Sequence, residues 1–210
     1  MKSAPLSMGA CAFLSVFLPL FIASRFCLLA AQEDETKFFD SPDKRFSLKV
    51  SLPNKEAEEA KLEVVEKASG NVVGDLGTDY GSIMSHIRVV WSRDSKRLAY
   101  RTAGVKEWST NVYFWDGSAF HYVALPEDLP SPDIRFRKSD EHGGVKNYGG
   151  GEEPVRWLKS RDLELSSQPR QMARESSRTY TATLTITIHF DAHHHASSVK
   201  SVSKSTTRVE

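Results

Sequence analysis

The fold of this chain is decided by residues 91–100, which read WSRDSKRLAY. A large aromatic residue, Trp91, stands before a short polar run that contains Asp94, and a strand-forming stretch follows at residues 97–100. Aspartate is favoured in tight turns because its carboxylate accepts hydrogen bonds from nearby backbone N–H groups. Tryptophan carries a large apolar surface that favours burial. The segment therefore predicts a turn between two strands, with Trp91 and Asp94 as its structural residues.

The same order of aromatic residue, polar turn and strand occurs twice more. The earlier copy is FDSPDKRFS at residues 39–47, and the later copy, WLKSRDLEL, runs from Trp157 to Leu165. The first two copies match well and lie 51 residues apart, and Trp157 follows Trp91 by 66 residues in a more degenerate copy. Repeats of about 40 to 50 residues with four strands each are typical of β-propeller blades. The repeat therefore predicts a chain built from similar antiparallel sheets.

Short strands surround these turns, and no long helix is predicted. The clearest strand runs from Tyr180 to Phe190, where apolar residues alternate with threonines and with His189. Alternation with a period of two indicates a half-buried strand. The predicted fold class is all-β, with about three blade-like four-stranded antiparallel meanders that form a partial or incomplete β-propeller. A β-sandwich or an open antiparallel sheet is the alternative.

The sequence divides into a leader at residues 1–31 and a single β domain at residues 32–210. The domain holds three blade-like repeats at about 38–80, 84–126 and 154–208. A long loop is predicted at residues 126–154, because this stretch is rich in proline, glycine and charge. Loops of that length are usually functional or disordered.

Residues 87–125 resemble a blade of the WD40-like or TolB-type β-propellers. The resemblance rests on the turn around Asp94 and on the segment NVYFWDG at residues 111–117, which contains Trp115 and Asp116. It implies that the turn joins the first two strands of a blade and that the third strand ends near Trp115 and Asp116. Residues 39–76 and 155–206 resemble the same blades more weakly.

The best-matching copy departs from the family pattern at two positions. Arg93 stands where the family motif has proline, and Ser95 stands where it has glycine. Three copies are also fewer than the four to eight blades of a closed propeller. The resemblance therefore implies a structural motif of five residues and an open arrangement of sheets: Trp91, Asp94, Trp115, Asp116 and Trp157.

The leader has the features of a secretory signal peptide. Lys2 precedes the apolar run ACAFLSVFLPLFIA at residues 10–23, and Ala30-Ala31 lies before a charged segment. Such a run is long enough to enter an export channel and short for a membrane span of about 20 residues. The sequence predicts a secreted or periplasmic protein, and an uncleaved membrane anchor is the alternative. Both cysteines of the chain lie in this leader.

Charge and motifs argue against several classes of function. The chain has 28 Lys+Arg and 27 Asp+Glu, a formal net charge of +1, so no basic field favours a nucleic-acid partner. The glycines at 149–151 precede Glu152 and Glu153, which would repel a phosphate. No Gly-x-Ser-x-Gly elbow is present. We therefore predict no catalytic residue, no cofactor and no membrane contact beyond the leader.

The strongest candidate for chemistry is a histidine cluster near the C-terminus. His189, Asp191, His193 and His195 alternate with other residues, so on an extended strand their side chains point the same way. Imidazole and carboxylate ligands suit zinc or copper. These four residues are therefore weak candidates for a metal site, and a solvated turn is the alternative.

Aromatic residues of the middle repeat are candidates to line a carbohydrate or peptide surface, although aromatic residues in short strands are more often core. These residues are Trp108, Trp115, Phe120 and Tyr122.

The function expected from these features is that of an exported, non-catalytic protein-interaction or scaffold module of unknown partner. The alternative is an extracytoplasmic metal-binding protein or hydrolase that uses the histidine cluster. An open stack of sheets would leave apolar faces for an unknown protein partner or for self-association. The residues expected on those faces are Phe46, Leu48, Val50, Leu184, Ile186 and Ile188.

Cleavage of the leader gives the first testable prediction. We expect the exported protein to begin near Gln32, because small residues at Ala30 and Ala31 suit a signal peptidase site. N-terminal sequencing of the exported protein checks this. A chain that begins at Met1 in a membrane fraction would establish the anchor instead.

Overall fold

Antiparallel strands make up nearly all of the regular structure in the computed structural model, which describes residues 35–54, 57–102, 104, 106–191 and 197–210. This confirms the all-β fold class. The only α-helix in those ranges is a single turn, α1 (Ile83–His86). The described residues fall in one compact unit, and the predicted leader at residues 1–31 lies outside them.

The first sheet contains four strands that pair in the order in which they occur in the chain. They are β1 (Glu35–Asp40), β2 (Phe46–Leu52), β3 (Glu59–Glu66) and β4 (Val72–Tyr80). Every second residue of β2 from Phe46 to Leu52 is buried. This alternation gives the sheet one apolar face and one polar face.

The second sheet repeats this meander with β5 (Val89–Trp91), β6 (Arg97–Arg101), β8 (Thr110–Trp115) and β9 (Phe120–Tyr122). A two-residue strand between β6 and β8, β7 (Glu107–Trp108), leaves this sheet and pairs with the third one. The connection between β6 and β8 therefore reaches across to the neighbouring sheet.

The third sheet is the largest and has two parts. Its strands are β10 (Val145–Trp157), β11 (Leu163–Ser167), β12 (Arg170–Ala173), β13 (Thr179–Phe190), β14 (Ser197–Val202) and β15 (Thr206–Val209). The later half of β10 pairs with β11, which pairs with β13 and then β14, so a third four-stranded meander is formed. The earlier halves of β10 and β13 hold β12 and β15. All three meanders are consistent with propeller-like blades.

The long loop predicted at residues 126–154 is shorter in the structure. Strand β10 begins at Val145, so the irregular segment covers 126–144, with a single 3₁₀ turn at Lys138–Asp140. The prediction failed here because glycine-rich sequence was taken for a loop, whereas these glycines lie inside a strand. The segment is also anchored: Tyr180 donates a hydrogen bond to the buried Asp140 carboxylate, and Arg178 pairs with it at 3.2 Å.

The middle sheet is buried on both of its faces. Leu98, Tyr100 and Tyr113 belong to a core shared with the first sheet, and residues between them belong to a core shared with the third. Those intervening residues are Ala99, Val112 and Phe114. Because successive side chains of a strand point to opposite faces, β6 and β8 supply both cores. The three sheets therefore form a stack.

The apolar faces that the sequence led us to expect at open ends are in fact inside the stack. Phe46, Leu48, Val50, Leu184, Ile186 and Ile188 are each at most 5% exposed. The expectation was wrong because the end sheets turn these faces toward the middle sheet. Their outer faces are polar: in the first sheet Lys49 and Lys61 pair with Glu63 at 3.6 and 2.5 Å. The stack therefore completes its own core.

The turn around Asp94 joins the first two strands of its sheet, as the family resemblance implied. Ser92 Oγ donates to the Asp94 carboxylate at 2.5 Å and accepts the Arg97 N–H at 3.0 Å. The first sheet has the same arrangement, since Ser41 Oγ lies 2.8 Å from Asp43. Ser95 has a φ of 56°, a conformation that favours glycine, which explains why the family motif has glycine there.

Two indole hydrogen bonds connect successive sheets in the same way. Trp91 Nε1 donates to the Phe39 carbonyl at 3.0 Å, and Trp157 Nε1 donates to the Val90 carbonyl at 3.1 Å. Phe39 therefore corresponds to Val90 and not to Trp91. Asp40 stands at the tryptophan position of the first sheet, where it pairs with Lys67 at 2.6 Å. The two turns keep their spacing of 51 residues, and the aromatic residue of the first copy, Phe39, therefore lies one position before the tryptophan position.

Trp115 and Asp116 complete the motif at the hairpin between β8 and β9. The Trp115 ring packs against Phe46 and Phe120 at centroid distances of 4.8 and 5.3 Å, which joins the first and second sheets. Asp116 accepts the Ser118 and Ala119 N–H groups at 2.7 and 2.9 Å. These backbone hydrogen bonds hold the pKa of Asp116 well below its usual range.

The indole bonds give a prediction with a matched control. Trp91→Phe and Trp157→Phe should each lower the free energy of unfolding by about 1 kcal/mol or more, because each removes a donor between two sheets. Trp108→Phe makes the same chemical change at an indole whose Nε1 has no hydrogen-bond partner among the described residues. Urea denaturation checks this, and an equal loss in all three variants would contradict the role of the indole bonds.

The Asp140 anchor gives a prediction about pH. The hydrogen bond from Tyr180 lowers the pKa of Asp140, so this carboxylate stabilises the fold above its unfolded pKa and loses that effect as the pH falls through the folded value. Asp140→Asn should therefore lower the urea midpoint at pH 7, and the difference from wild type should shrink below about pH 4. Asp133→Asn, in the same segment and exposed, is the control. A difference that is independent of pH would contradict the anchor.

Candidate functional site

The described residues of the histidine cluster, His189 and Asp191, do not form a metal site by themselves. His189 Nδ1 lies 2.8 Å from the buried Asp162 carboxylate, which also binds Lys200 at 2.6 Å and Ser160 at 2.7 Å. Burial opposes ionisation of Asp162, but the hydrogen bonds from Lys200, His189 and Ser160 outweigh it and lower its pKa. The Lys200 ammonium already neutralises this carboxylate. His189 and Lys200 therefore tie β13 and β14 to the turn between β10 and β11 that contains Asp162.

The remaining metal candidates have different positions. Asp191 follows the end of β13, and its side chain is half-buried. His193 and His195 lie outside the described residues. Among the residues that are described, no three His, Cys, Asp or Glu side chains lie close enough to hold a metal ion.

A different site is built where β7 crosses to the third sheet and pairs with β10. The N–H of Gly150 donates to the Lys106 carbonyl at 2.9 Å, and the two backbones are in contact. A Cβ atom at Gly149 would lie 2.0 Å from the Lys106 oxygen, and one at Gly151 would lie 1.7 Å from the Trp108 oxygen. Gly149 and Gly151 therefore allow a backbone approach that no other residue permits, and Gly150 allows a similar approach of Gln168, whose oxygen would lie 2.3 Å from a Cβ atom at Gly150. The approach at Gly149 and Gly151 fixes the backbone positions of Lys106 and Trp108.

Beside this crossing lies a cavity of about 420 Å³, which we call the basic cleft. Its described lining carries three permanent cations, one histidine and two aromatic rings, and it has no carboxylate. The lining residues are His86, Arg101, Gly104, Lys106, Trp108, Tyr148 and Arg170. The volume is in the range of small-ligand sites.

Aromatic rings position the guanidinium groups of the basic cleft. Arg101 lies over the Trp108 ring at 4.3 Å, and Arg170 lies over the Tyr148 ring at 5.3 Å. Such stacking restrains a long side chain while leaving its N–H groups free to bind an acceptor. The cleft therefore presents cations whose orientation is already set.

One carboxylate approaches Arg101 from outside the lining. Glu153 lies 3.6 Å from Arg101 and 3.5 Å from Arg88, and it accepts a hydrogen bond from Gln168 at 3.1 Å. This carboxylate is shared between two guanidinium groups, so it cannot neutralise both. The region around the cleft keeps an excess of positive charge.

Two donors in the wall of the basic cleft lack acceptors. Arg101 Nε and Trp108 Nε1 are buried, and neither has a hydrogen-bond partner within the described ranges. A buried donor without an acceptor costs about 1–3 kcal/mol.

A second cavity of about 420 Å³, the acidic cleft, lies on the other side of the crossing. It shares Trp108 and Arg170 with the basic cleft, and its lining includes Glu107, Glu152 and the backbone of Gly149 to Gly151. Burial raises the pKa of Glu152. No cation forms an ion pair with the Glu152 carboxylate in the described part of the chain.

Sequence reasoning named only one residue of this region, Trp108, as a candidate for a binding surface. Of the other aromatic candidates, Trp115 and Phe120 pack in the core, and Tyr122 is 57% exposed on β9. Arg101, Lys106 and Arg170 were missed because they are scattered along the chain. The signal that was available is the run of glycines at 149–151, which indicates a close backbone approach.

Comparison with known proteins identifies no family for this chain, so its function has to be inferred from the geometry. No family model and no curated protein matches the sequence. A chain from a structural and mechanistic analysis of two prolyl endopeptidases is similar with a TM-score of 0.37 and 12% identity, over 79% of this chain and 28% of that one. The uncharacterized protein lmo1340 from Listeria monocytogenes EGD-e is similar with a TM-score of 0.34 and 12% identity, over 80% of this chain and 69% of that one. At these TM-scores and identities neither likeness shows a shared fold or activity.

The chain spans about a quarter of the prolyl endopeptidase chain, with 28% of its length covered. Across the described ranges, every helix is too short to cross a bilayer.

Proposed function

We propose that this chain is an exported, non-catalytic binding module and that its basic cleft receives an oxyanion group of its ligand. The observation that carries this proposal is the lining of the cleft, where Arg101, Lys106 and Arg170 converge without a carboxylate. Guanidinium groups bind carboxylate, sulfate and phosphate through paired hydrogen bonds. The shared chemistry of these groups defines the proposed ligand.

The arrangement of the cleft favours binding because much of it is set in advance. Arg101 and Arg170 are restrained by aromatic rings, and Lys106 is positioned by the backbone contact with Gly149 and Gly150. Ordering flexible side chains on binding weakens affinity, so restraint in the free protein strengthens it. An oxyanion would also supply the negative charge that balances the guanidinium groups, which Glu153 alone does not, because it is shared between Arg88 and Arg101.

The self-contained core also bears on how a partner would be bound. The apolar faces that we expected at open ends lie in the two cores instead, so we assign recognition to the cleft. This keeps the proposal of a protein-interaction or scaffold module, with the cleft as its point of contact. The alternative of a metal-binding protein or hydrolase has no comparable support, since His189 is bound to Asp162.

Sulfate titration tests the proposal. Isothermal titration calorimetry of the protein with sodium sulfate should show binding that weakens as NaCl is added, because charge attraction is screened. Arg170→Gln and Lys106→Gln should each raise the dissociation constant by about tenfold, the effect of losing one charge-assisted hydrogen bond. Lys204→Gln, an exposed lysine on another strand connection, should leave it unchanged. Absence of sulfate binding, or equal weakening in all three variants, would overturn the proposal.

A further inference from the structure

We infer that the ligand also carries a cationic group, which the acidic cleft receives, and that it is a short peptide with both termini free. This inference rests on the proposed function, since the peptide carboxylate is the oxyanion of the basic cleft. It adds the second half of the ligand and its chemical class.

The two clefts lie next to each other and differ in charge. Trp108 and Arg170 line both of them, so one ligand can reach from one cleft to the other. Lys106 lines the basic cleft, and Glu107, the next residue, lines the acidic cleft. Two neighbouring residues of one segment therefore line the two clefts with opposite charges.

The acidic cleft is suited to an ammonium group. Glu152 is half-buried on β10, and Thr110 Oγ1 holds its carbonyl at 2.9 Å. Its carboxylate has no ion-pair partner among the described residues, and burial disfavours its charge. A bound ammonium would supply the missing cation, with Glu107 as a second, exposed carboxylate.

The remaining lining of the acidic cleft suits peptide groups. Side chains that can both donate and accept hydrogen bonds line it, and Arg170 and the Trp108 ring lie between the two charged ends. Those polar side chains are Ser131, Asn147, Ser167 and Gln171. A short peptide carries opposite charges at its two ends and amide groups between them. A simple anion would leave the acidic cleft empty.

Calorimetry with four probes separates this inference from the proposed function. The probes are sodium sulfate, trialanine, N-acetyl-trialanine and trialanine amide. We expect trialanine to bind, and we expect acetylation and amidation each to raise its dissociation constant at least tenfold. Acetylation removes only the ammonium charge, and amidation removes only the carboxylate charge.

A variant of Glu152 tests whether its carboxylate binds the ammonium group of the peptide. Glu152→Gln should weaken trialanine binding and abolish the difference between trialanine and its acetylated form, while sulfate binding is kept. Glu59→Gln, an exposed change on β3, is the matched control and should preserve that difference. Circular dichroism confirms that both variants are folded.

Each outcome decides one of the two proposals. If sulfate binds and the acetylated peptide binds as tightly as the free peptide, the inference about a cationic group is wrong and the proposed function stands. If trialanine binds but Glu152→Gln still discriminates against acetylation, the acidic cleft is not the ammonium site and the inference fails. If sulfate binds but trialanine does not, the inference about a peptide fails, and if sulfate does not bind, the proposed function itself is wrong.

Discussion

The indole N–H of Trp91, bonded to the carbonyl of Phe39, sets the relation between sheets on which the structure depends. A hydrogen bond from a side chain to the backbone of another sheet fixes distance as well as orientation, which apolar packing alone does not do. The same bond from Trp157 to Val90 places the third sheet by the same rule. Two copies of one local interaction therefore place successive sheets in the same way, and the two apolar cores hold them together.

The stack in turn determines where function can reside. The middle sheet has no free face, since both of its sides are buried in the two cores. On the outer face of the first sheet, charges are paired, as Lys61 and Glu63 show. The proposed function therefore places recognition at the rim, where connections leave the sheets and where β7 pairs with β10.

Much of the fold could be predicted from the sequence because it is written in local patterns. The alternation from Tyr180 to Phe190 gives a strand with one buried face, and the structure has it at Thr179–Phe190. The turn around Asp94 follows from side-chain chemistry over six residues. These features depend on near neighbours, so a single sequence shows them.

The direction of the apolar faces and the clefts could not be predicted, because they depend on contacts between distant residues. The pattern of Phe46, Leu48 and Val50 shows that one face is apolar, but not what covers it. Arg101 and Arg170 come together only through the pairing of strands far apart in the chain. The sequence could name His189 only as a weak metal candidate, because its neighbours in the chain are visible there, whereas its hydrogen-bond partner Asp162 is remote.

The contact between β7 and β10 is made by backbone, which forms the frame of the two clefts, whereas the side chains that line the clefts take no part in it. Peptide groups make that contact, across glycines that have no side chains to exchange, so the position of the wall is the same whatever residues line it. The side chains at 106, 107, 148 and 170 project from this frame and take no part in the two cores. Under the proposed function, substitutions there change which ligand is preferred without disturbing the stack, so this architecture is suited to diversification and to redesign of its specificity.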